Sequence, residues 1–280
     1  MLTIRPMTRS DLDIAIEWAR REGWNPGLDD GDAFYTTDPG GYLISELDGI
    51  PVSVISIVRY NKDFGFLGFY LCDPKHRGKG FGWKIWQAGM EILGSRTIGL
   101  DGVLDQQDNY KKSGFVLAHR NIRYSGPVEC DAPKDARLSP VEPPMIPALQ
   151  SFDALFFKAE RQSFLSAWLD PAIKNRHSIA LDREGHIEGY GTIRACHDGY
   201  KIGPLFAKTE ADADLLFQAL IAKVGGGTII LDAPEPNQAG INLAEIHGLK
   251  PVFETARMYR GKAPDLPLSQ IWGITTFELG

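Results

Sequence analysis

Asp73-Pro74-Lys75-His76-Arg77-Gly78-Lys79-Gly80-Phe81-Gly82-Trp83 is the stretch whose residue types and spacing can do chemistry. It joins an aromatic, strand-like run, Gly65 to Cys72, to an apolar, helix-like run, Trp83 to Leu93. Pro74 stops the strand, and Gly78, Gly80 and Gly82 omit side chains so that successive backbone N–H groups can approach an anion. Arg77 and Lys79 add positive charge, and the dipole of the following helix contributes ~0.3–1 kcal/mol for each charge it meets. A pyrophosphate fits such a cradle. The glycines lack the spacing of a dinucleotide fingerprint, and no Gly-Lys-Ser/Thr follows to hold nucleotide and magnesium. A glycine-rich turn with merely solvated basic residues is the competing reading.

The loop resembles the acetyl-CoA loop of the GCN5-related N-acetyltransferases, Arg/Gln-x-x-Gly-x-Gly/Ala, with Arg77, Gly80 and Gly82 at its fixed positions. The resemblance continues through Leu100-Asp101-Gly102-Val103 to Asn109-Tyr110-Lys111-Lys112-Ser113-Gly114-Phe115, similar to the family signature Tyr-x-x-x-Gly-Phe. It implies acetyl-CoA as cosubstrate. The pantetheine would pair with backbone groups of Tyr70, Leu71 and Cys72, and the pyrophosphate would meet Arg77, Gly78, Lys79, Gly80, Phe81, Gly82 and Trp83. The family tyrosine implies Tyr110 as general acid toward the departing thiolate. With reference pKa values near ~10 for a phenol and ~8.5 for a thiol, hydrogen-bond stabilisation of the thiolate is much of that effect. The segment from Asp105 to Asn109 is shorter than the family pattern, which leaves the family's cofactor-contacting asparagine without an assigned position.

An acceptor amine with a pKa near ~10.4 must lose a proton, at roughly 4–5 kcal/mol at neutral pH. Asp101, after strand residues Ile98 to Leu100, is the carboxylate candidate for a base, with Asp73 second; Asp-Gly is also a turn signal, so a structural Asp101 stays open. Trp24, Asn25, Asp29 and Asp30, in the loop after the first helix, are the expected amine-binding set, an aromatic with acids that could hold an ammonium. A solvated, turn-rich loop is the alternative there.

Positioning these groups takes an α/β arrangement. Leu2 to Arg5 reads as a strand, Ser10 as the cap of a helix from Asp11 to about Glu22, and Gly41 to Glu46 with Pro51 to Tyr60 as a hairpin around Asp48-Gly49. Strand Gly65 to Cys72, the loop and its helix follow, then strand Thr97 to Leu100, helix Asp108 to Lys112 and strand Phe115 to Tyr124. Between Gly126 and Pro147 six prolines mark a linker. Beyond it, Ile4-Arg5-Pro6 recurs as Leu138-Ser139-Pro140, Gly68 as Gly203, Leu100-Asp101 as Leu231-Asp232 and Gly114-Phe115 as Gly248-Leu249, with offsets near 134 residues. The second copy has Phe206-Ala207-Lys208-Thr209-Glu210-Ala211-Asp212 in place of the glycine loop and lacks the tyrosine. The expected organisation is a catalytic domain over 1–126, a linker over 127–137 and a degenerate, cofactor-free domain over 138–280. Each domain would be a central, mostly antiparallel sheet flanked by helices. This matches the pattern of a bacterial two-domain subgroup, including the segment Thr276-Phe277-Glu278-Leu279-Gly280.

The 280 residues, 43% hydrophobic and 24% charged, suffice for two soluble domains. A net charge of −6 disfavours nucleic acid as the main partner. Cys72, Cys130 and Cys196 form no Cys-x-x-Cys pair, and the histidines no metal-ligand spacing, so a reducing cytoplasm and no metal are expected. No apolar run approaches membrane-spanning length and no leader pattern opens the chain. The expected activity is acetyl transfer from acetyl-CoA to the primary amine of a small molecule by direct attack, with the second half shaping the acceptor pocket or a homodimer surface. A non-catalytic CoA-binding sensor and an acetyltransferase for protein lysines or N-termini remain the alternatives.

Overall fold

The computed structural model describes residues 1–280. Its first half runs β1 (Leu2–Pro6), α1 (Arg9–Arg21), α2 (Asp30–Thr37), β2 (Tyr42–Leu47), β3 (Ile50–Arg59), β4 (Phe64–Cys72), α3 (Phe81–Leu93), β5 (Thr97–Val103), α4 (Gln107–Lys112) and β6 (Val116–Val128). The second half runs β7 (Leu138–Pro140), α5 (Ile146–Asp153), α6 (Gln162–Trp168), β8 (Arg176–Arg183), β9 (His186–Ala195), β10 (Tyr200–Ala207), α7 (Glu210–Val224), β11 (Gly227–Pro234), α8 (Gln238–Ile246), β12 (Lys250–Arg260) and β13 (Ile271–Gly273). Local chemistry sets the element ends. The Asp48-Gly49 turn between β2 and β3 puts both residues at positive φ, 51° and 81°, as a tight hairpin of that type requires. α1 is capped by Thr8, not Ser10: the Thr8 hydroxyl accepts from Asp11 N–H while the Asp11 carboxylate accepts from Thr8 N–H.

All strands join one sheet, in the order β1-β2-β3-β4-β5-β12-β6-β11-β10-β9-β8-β7, with β13 against β10. The pairs β4/β5 and β10/β11 are parallel and the rest antiparallel. The last long strand of each half has crossed over. β12 inserts between β5 and β6, and β6 inserts between β11 and β12. The expected boundary at 126 therefore falls inside β6, and neither 1–126 nor 138–280 contains all the strands of its own side of the sheet.

The cores follow the exchange. Ala256 and Met258 of β12 pack with Ile85, Trp86 and Phe115 around α3, while Tyr124 and Val128 of β6 pack with Phe217 and Leu220 of α7. Two buried ion pairs pin the crossed strands, each between direct cross-strand neighbours. Arg257 on β12 is bidentate to Asp101 on β5 (2.6 and 2.8 Å), and Arg123 on β6 is bidentate to Asp232 on β11 (2.7 and 2.9 Å). Their spacing repeats that of the duplicated landmarks. On the opposite face α2 packs on α6, with the Phe34 and Trp168 rings stacked at 6.2 Å, so a third core also spans both halves. No helix is long and apolar enough to cross a membrane.

Candidate active site

β4 and β5 pair from Phe64↔Thr97 to Leu67↔Leu100 and then diverge, so the backbone from Gly68 to Cys72 faces a gap. A bulge lies at this point: the β3/β4 register shifts between Val54 and Ser56, and Phe69 takes φ 43°, a conformation costly for a bulky side chain. Beyond β4, Gly78 and Gly80 have φ 74° and 82°, and Gly80 caps α3 in the left-handed region. The first-turn N–H groups of α3 have no helical acceptor and point out of the helix end, as an anion site requires. Gly82 leaves room for the β4 side chain Tyr70; a Cβ there would stand 3.1 Å from the Tyr70 hydroxyl. Tyr70, Leu71, Cys72, Arg77, Gly78, Gly80, Phe81, Gly82 and Trp83 all line one cavity of about 570 Å³.

Two basic residues differ from expectation. Arg77 is bonded to the Cys72 carbonyl (3.1 Å) and ion-paired with Glu22, so it closes the junction between loop and first helix with its charge already partnered. Lys79 turns back to the Lys75 carbonyl (2.9 Å) and does not line the cavity. Backbone N–H groups are the principal anion donors left.

Tyr110, on α4, lies in the cavity wall with its ring stacked on Trp86 at 5.5 Å. Gly102 makes this possible, because a Cβ at 102 would stand 2.3 Å from the Tyr110 ring. Burial holds the Tyr110 phenol well above the ordinary tyrosine value, with Tyr70 adding to the effect, and pushes Tyr70 itself up to about 12. Both are protonated donors at neutral pH. The Cys72 thiol is also raised by burial, which disfavours a thiolate nucleophile.

Asp101 reaches the cavity wall, but both its oxygens are held: by Arg257, and at Oδ1 also by Asn121 Nδ2 at 2.7 Å. Burial pushes its carboxyl up while Arg257 opposes the shift. Its geometry is that of a strand-pinning ion pair, the counterpart of Asp232. A carboxylate with both oxygens committed is a poor proton acceptor.

The expected amine-binding set divides. Trp24 lines the cavity, whereas Asn25, Asp29 and Asp30 do not. They tie the first half to the second. Asn25 exchanges hydrogen bonds with the Asp198 backbone (2.9 and 3.2 Å), the Asp29 carbonyl accepts from Arg176 (2.9 Å), and Asp30 is buried between Arg176 and Arg194 at 3.0 and 3.1 Å. Both guanidinium groups lie over the Trp168 ring. The buried acid of that set, Asp30, is thus neutralised by arginines more than 140 residues away in sequence, while Asp29 contributes only its backbone carbonyl.

Their place in the cavity is taken by Phe253 and Thr255 of β12 and by Phe277 and Glu278, from the segment after β13. The resemblance singled out Thr276–Gly280 without giving it a role, and no motif places any of these residues in the cavity. The one available signal is Gly68, where a Cβ would stand 2.2 Å from the Glu278 carbonyl oxygen, so only glycine lets that segment lie against β4. In the second half, β13 pairs with β10, and Ile274 N–H bonds to the Asp232 carbonyl on β11. The gap that β4 and β5 leave open is therefore occupied by the chain itself between β10 and β11. In place of a glycine loop, α7 begins with a Thr209 side-chain cap and acidic Glu210 and Asp212.

Residues 11–115 match the model of the acetyltransferase (GNAT) family, and residues 149–273 match an acetyltransferase (GNAT) domain. Over 281 aligned residues, covering 99% of this chain and 94% of the other, the chain is 33% identical to the holothin acyltransferase of Pseudoalteromonas sp. (strain SANK 73390). The chain belongs to the GNAT family. It is a tandem GNAT acyltransferase, and GNAT domains bind acyl-CoA, which fits the splayed strands and the helix N-terminus of its first half. Solved structures share the whole architecture. One from Pyrococcus horikoshii is 22% identical with a TM-score of 0.81, covering 100% of this chain and 96% of its own. A tandem GNAT protein from the clavulanic acid biosynthesis pathway is 14% identical with a TM-score of 0.64, covering 94% and 100%.

Proposed function

We propose that the protein transfers an acetyl group from acetyl-CoA to the primary amine of a small molecule with an apolar, aromatic-sized body. The observation that carries this is a single cavity of about 570 Å³ bordered both by the α3 N-terminus with the β4 gap and by the rings of Trp24, Phe69, Phe253 and Phe277. That volume lies in the range of small-molecule sites. Its walls come from both halves of the chain, which favours an enclosed small amine over a protein lysine or N-terminus.

In this reading the Gly78–Trp83 loop holds the pyrophosphate through backbone N–H groups, and the backbone of Tyr70, Leu71 and Cys72 orients the pantetheine. The amine attacks the thioester directly. Tyr110 donates a hydrogen bond to the sulfur as the C–S bond breaks, its raised phenol keeping the proton available. A single preorganised donor to developing charge supplies about 10²–10³ in rate. A protonated tyrosine in the cavity wall supports an enzyme over a sensor that binds CoA without turnover.

The test is thiol release from acetyl-CoA against holothin, other aromatic amines, polyamines, amino acids, aminoglycosides and lysine peptides, with CoA binding measured in parallel. Turnover concentrated among amines with an aromatic body is the expected result. Tight CoA binding with no turnover across the panel refutes the acetyltransferase reading in favour of the sensor, and a preference for lysine peptides refutes the small acceptor. Comparing acetyl-CoA with longer acyl-CoA donors checks the acyl group.

A further inference from the structure

We propose that Glu278, delivered by the segment after β13, is the general base that takes a proton from the acceptor amine. This inference rests on the acetyltransferase reading above.

Four acidic residues border the cavity: Glu22, Asp101, Asp105 and Glu278. Glu22 is paired with Arg77 and Asp101 with Arg257, while Asp105 is exposed at the rim. Glu278 is 3% exposed, and its Oε1 is buried without a hydrogen-bond partner. An unpartnered buried carboxylate oxygen costs stability unless something is brought to it, and in a cavity wall that something is a ligand.

The backbone around Glu278 is held on every side. Its carbonyl abuts Gly68 on β4, at the point where β4 leaves β5. The Leu279 N–H donates to the Thr276 hydroxyl (3.0 Å), and the Leu279 carbonyl accepts from the Tyr60 hydroxyl (2.8 Å). Arg161, itself bidentate to Asp153, donates to the Gly280 carbonyl at 3.2 Å. Glu278 thereby lines the cavity from a fixed backbone, beside the β4 segment expected to orient the thioester. Such preorganisation is what a proton acceptor needs.

The charged groups facing it come from four elements: Lys201 on β10, Asp30 on α2, Arg194 on β9 and Arg123 on β6. Three of the four already have strong partners: Arg194 and Asp30 each other, and Arg123 its Asp232. Lys201 donates to the Trp24 and Asn25 carbonyls at 3.2 and 2.8 Å. Burial raises the Glu278 carboxyl above the ordinary range while Lys201 and the arginines oppose the rise, which brings its proton affinity closer to that of the ammonium it must relieve.

The proton count closes without further groups. A substrate ammonium gives up two protons: one passes to Glu278 and on to solvent, and one ends on the sulfur beside Tyr110. The N–C bond forms as the C–S bond breaks, and the products are the amide and the free thiol.

The experiment is a pH–rate profile of E278Q and E278D beside the wild type, using an amine that the wild type turns over, with Kd for CoA and thermal unfolding measured on each. The expected result is a fall in kcat of about 100-fold or more for E278Q at pH 7, in the range of general-base losses. Activity should recover as pH rises toward the pKa of the free amine, with CoA affinity unchanged and the melting temperature no lower than that of the wild type. E278D should retain part of the rate. Wild-type rates for E278Q at every pH overturn the role of Glu278 alone. So does a loss that raises KM for the amine without lowering kcat or changing the pH profile. A wild type that acetylates no amine overturns the underlying reading, and the base assignment with it.

Discussion

Replacing Arg257 with alanine tests whether the crossed strands are held by their buried ion pairs. The Arg257 side chain is 7% exposed and Asp101 0%, so the substitution leaves a carboxylate buried with only Asn121 as donor. Removing one partner of a buried pair costs about 3–5 kcal/mol, because the remaining charge is uncompensated. The lost contact of the guanidinium with the Phe66 ring, 5.2 Å away, adds to this. For a chain of this size such a loss corresponds to a fall in Tm of roughly 6–20 °C. The measurement is urea and thermal unfolding of R257A, D101N and the combined R257M/D101L variant. Both single variants should be strongly destabilised, and the double variant should recover much of the loss, since an apolar pair leaves no charge behind. A cost below about 1 kcal/mol for R257A, or a double variant no better than the singles, would refute the reasoning.

Y110F should lower kcat by about 10²–10³ while leaving CoA affinity within a factor of two or so, measured by thiol release and calorimetry; an unchanged kcat removes Tyr110 from the reaction. G102A should lose activity alongside it, because the added methyl, 2.3 Å from the Tyr110 ring, must displace that ring; a crystal structure of the variant with the ring unmoved would contradict this. At low pH, Asp11 should matter: hydrogen bonds from Arg5 hold its carboxyl down to about 2. A lowered carboxylate contributes stability above its unfolded pKa and loses it as pH falls, here between about pH 4 and 2. D11N should therefore be less stable than the wild type at pH 6, with the gap closing toward pH 2; a pH-independent gap would exclude Asp11 as its source.

The elements legible in the sequence are those whose causes are local. The strand, glycine loop and helix from Gly65 to Leu93 announce themselves because proline, positive-φ glycines and apolar periodicity act within a few residues. Tyr110 and Gly102 are eight residues apart and meet inside one β–α connection, so their spacing already encodes their contact. The duplication was legible in its landmarks, and the Asp101 and Asp232 positions belong to it.

The strand exchange was not. β6 and β12 carry the same pattern at the same place in each half, so no local feature distinguishes pairing with one's own sheet from pairing with the other; registration and core packing decide it. The same distance hid the roles of the acids. Asp30 and Asp101 look available for chemistry until Arg194 and Arg257 arrive from strands 164 and 156 residues away. Glu278 looks like an unremarkable acid until the chain folds back to lay it against Gly68. The sequence by itself determined the glycine loop on the α3 N-terminus and the contact of Tyr110 with Gly102, because both are made within short stretches of chain. Only the tertiary structure decided which carboxylate is left both buried and unpaired in the cavity wall, because charge pairing depends on what the fold brings near.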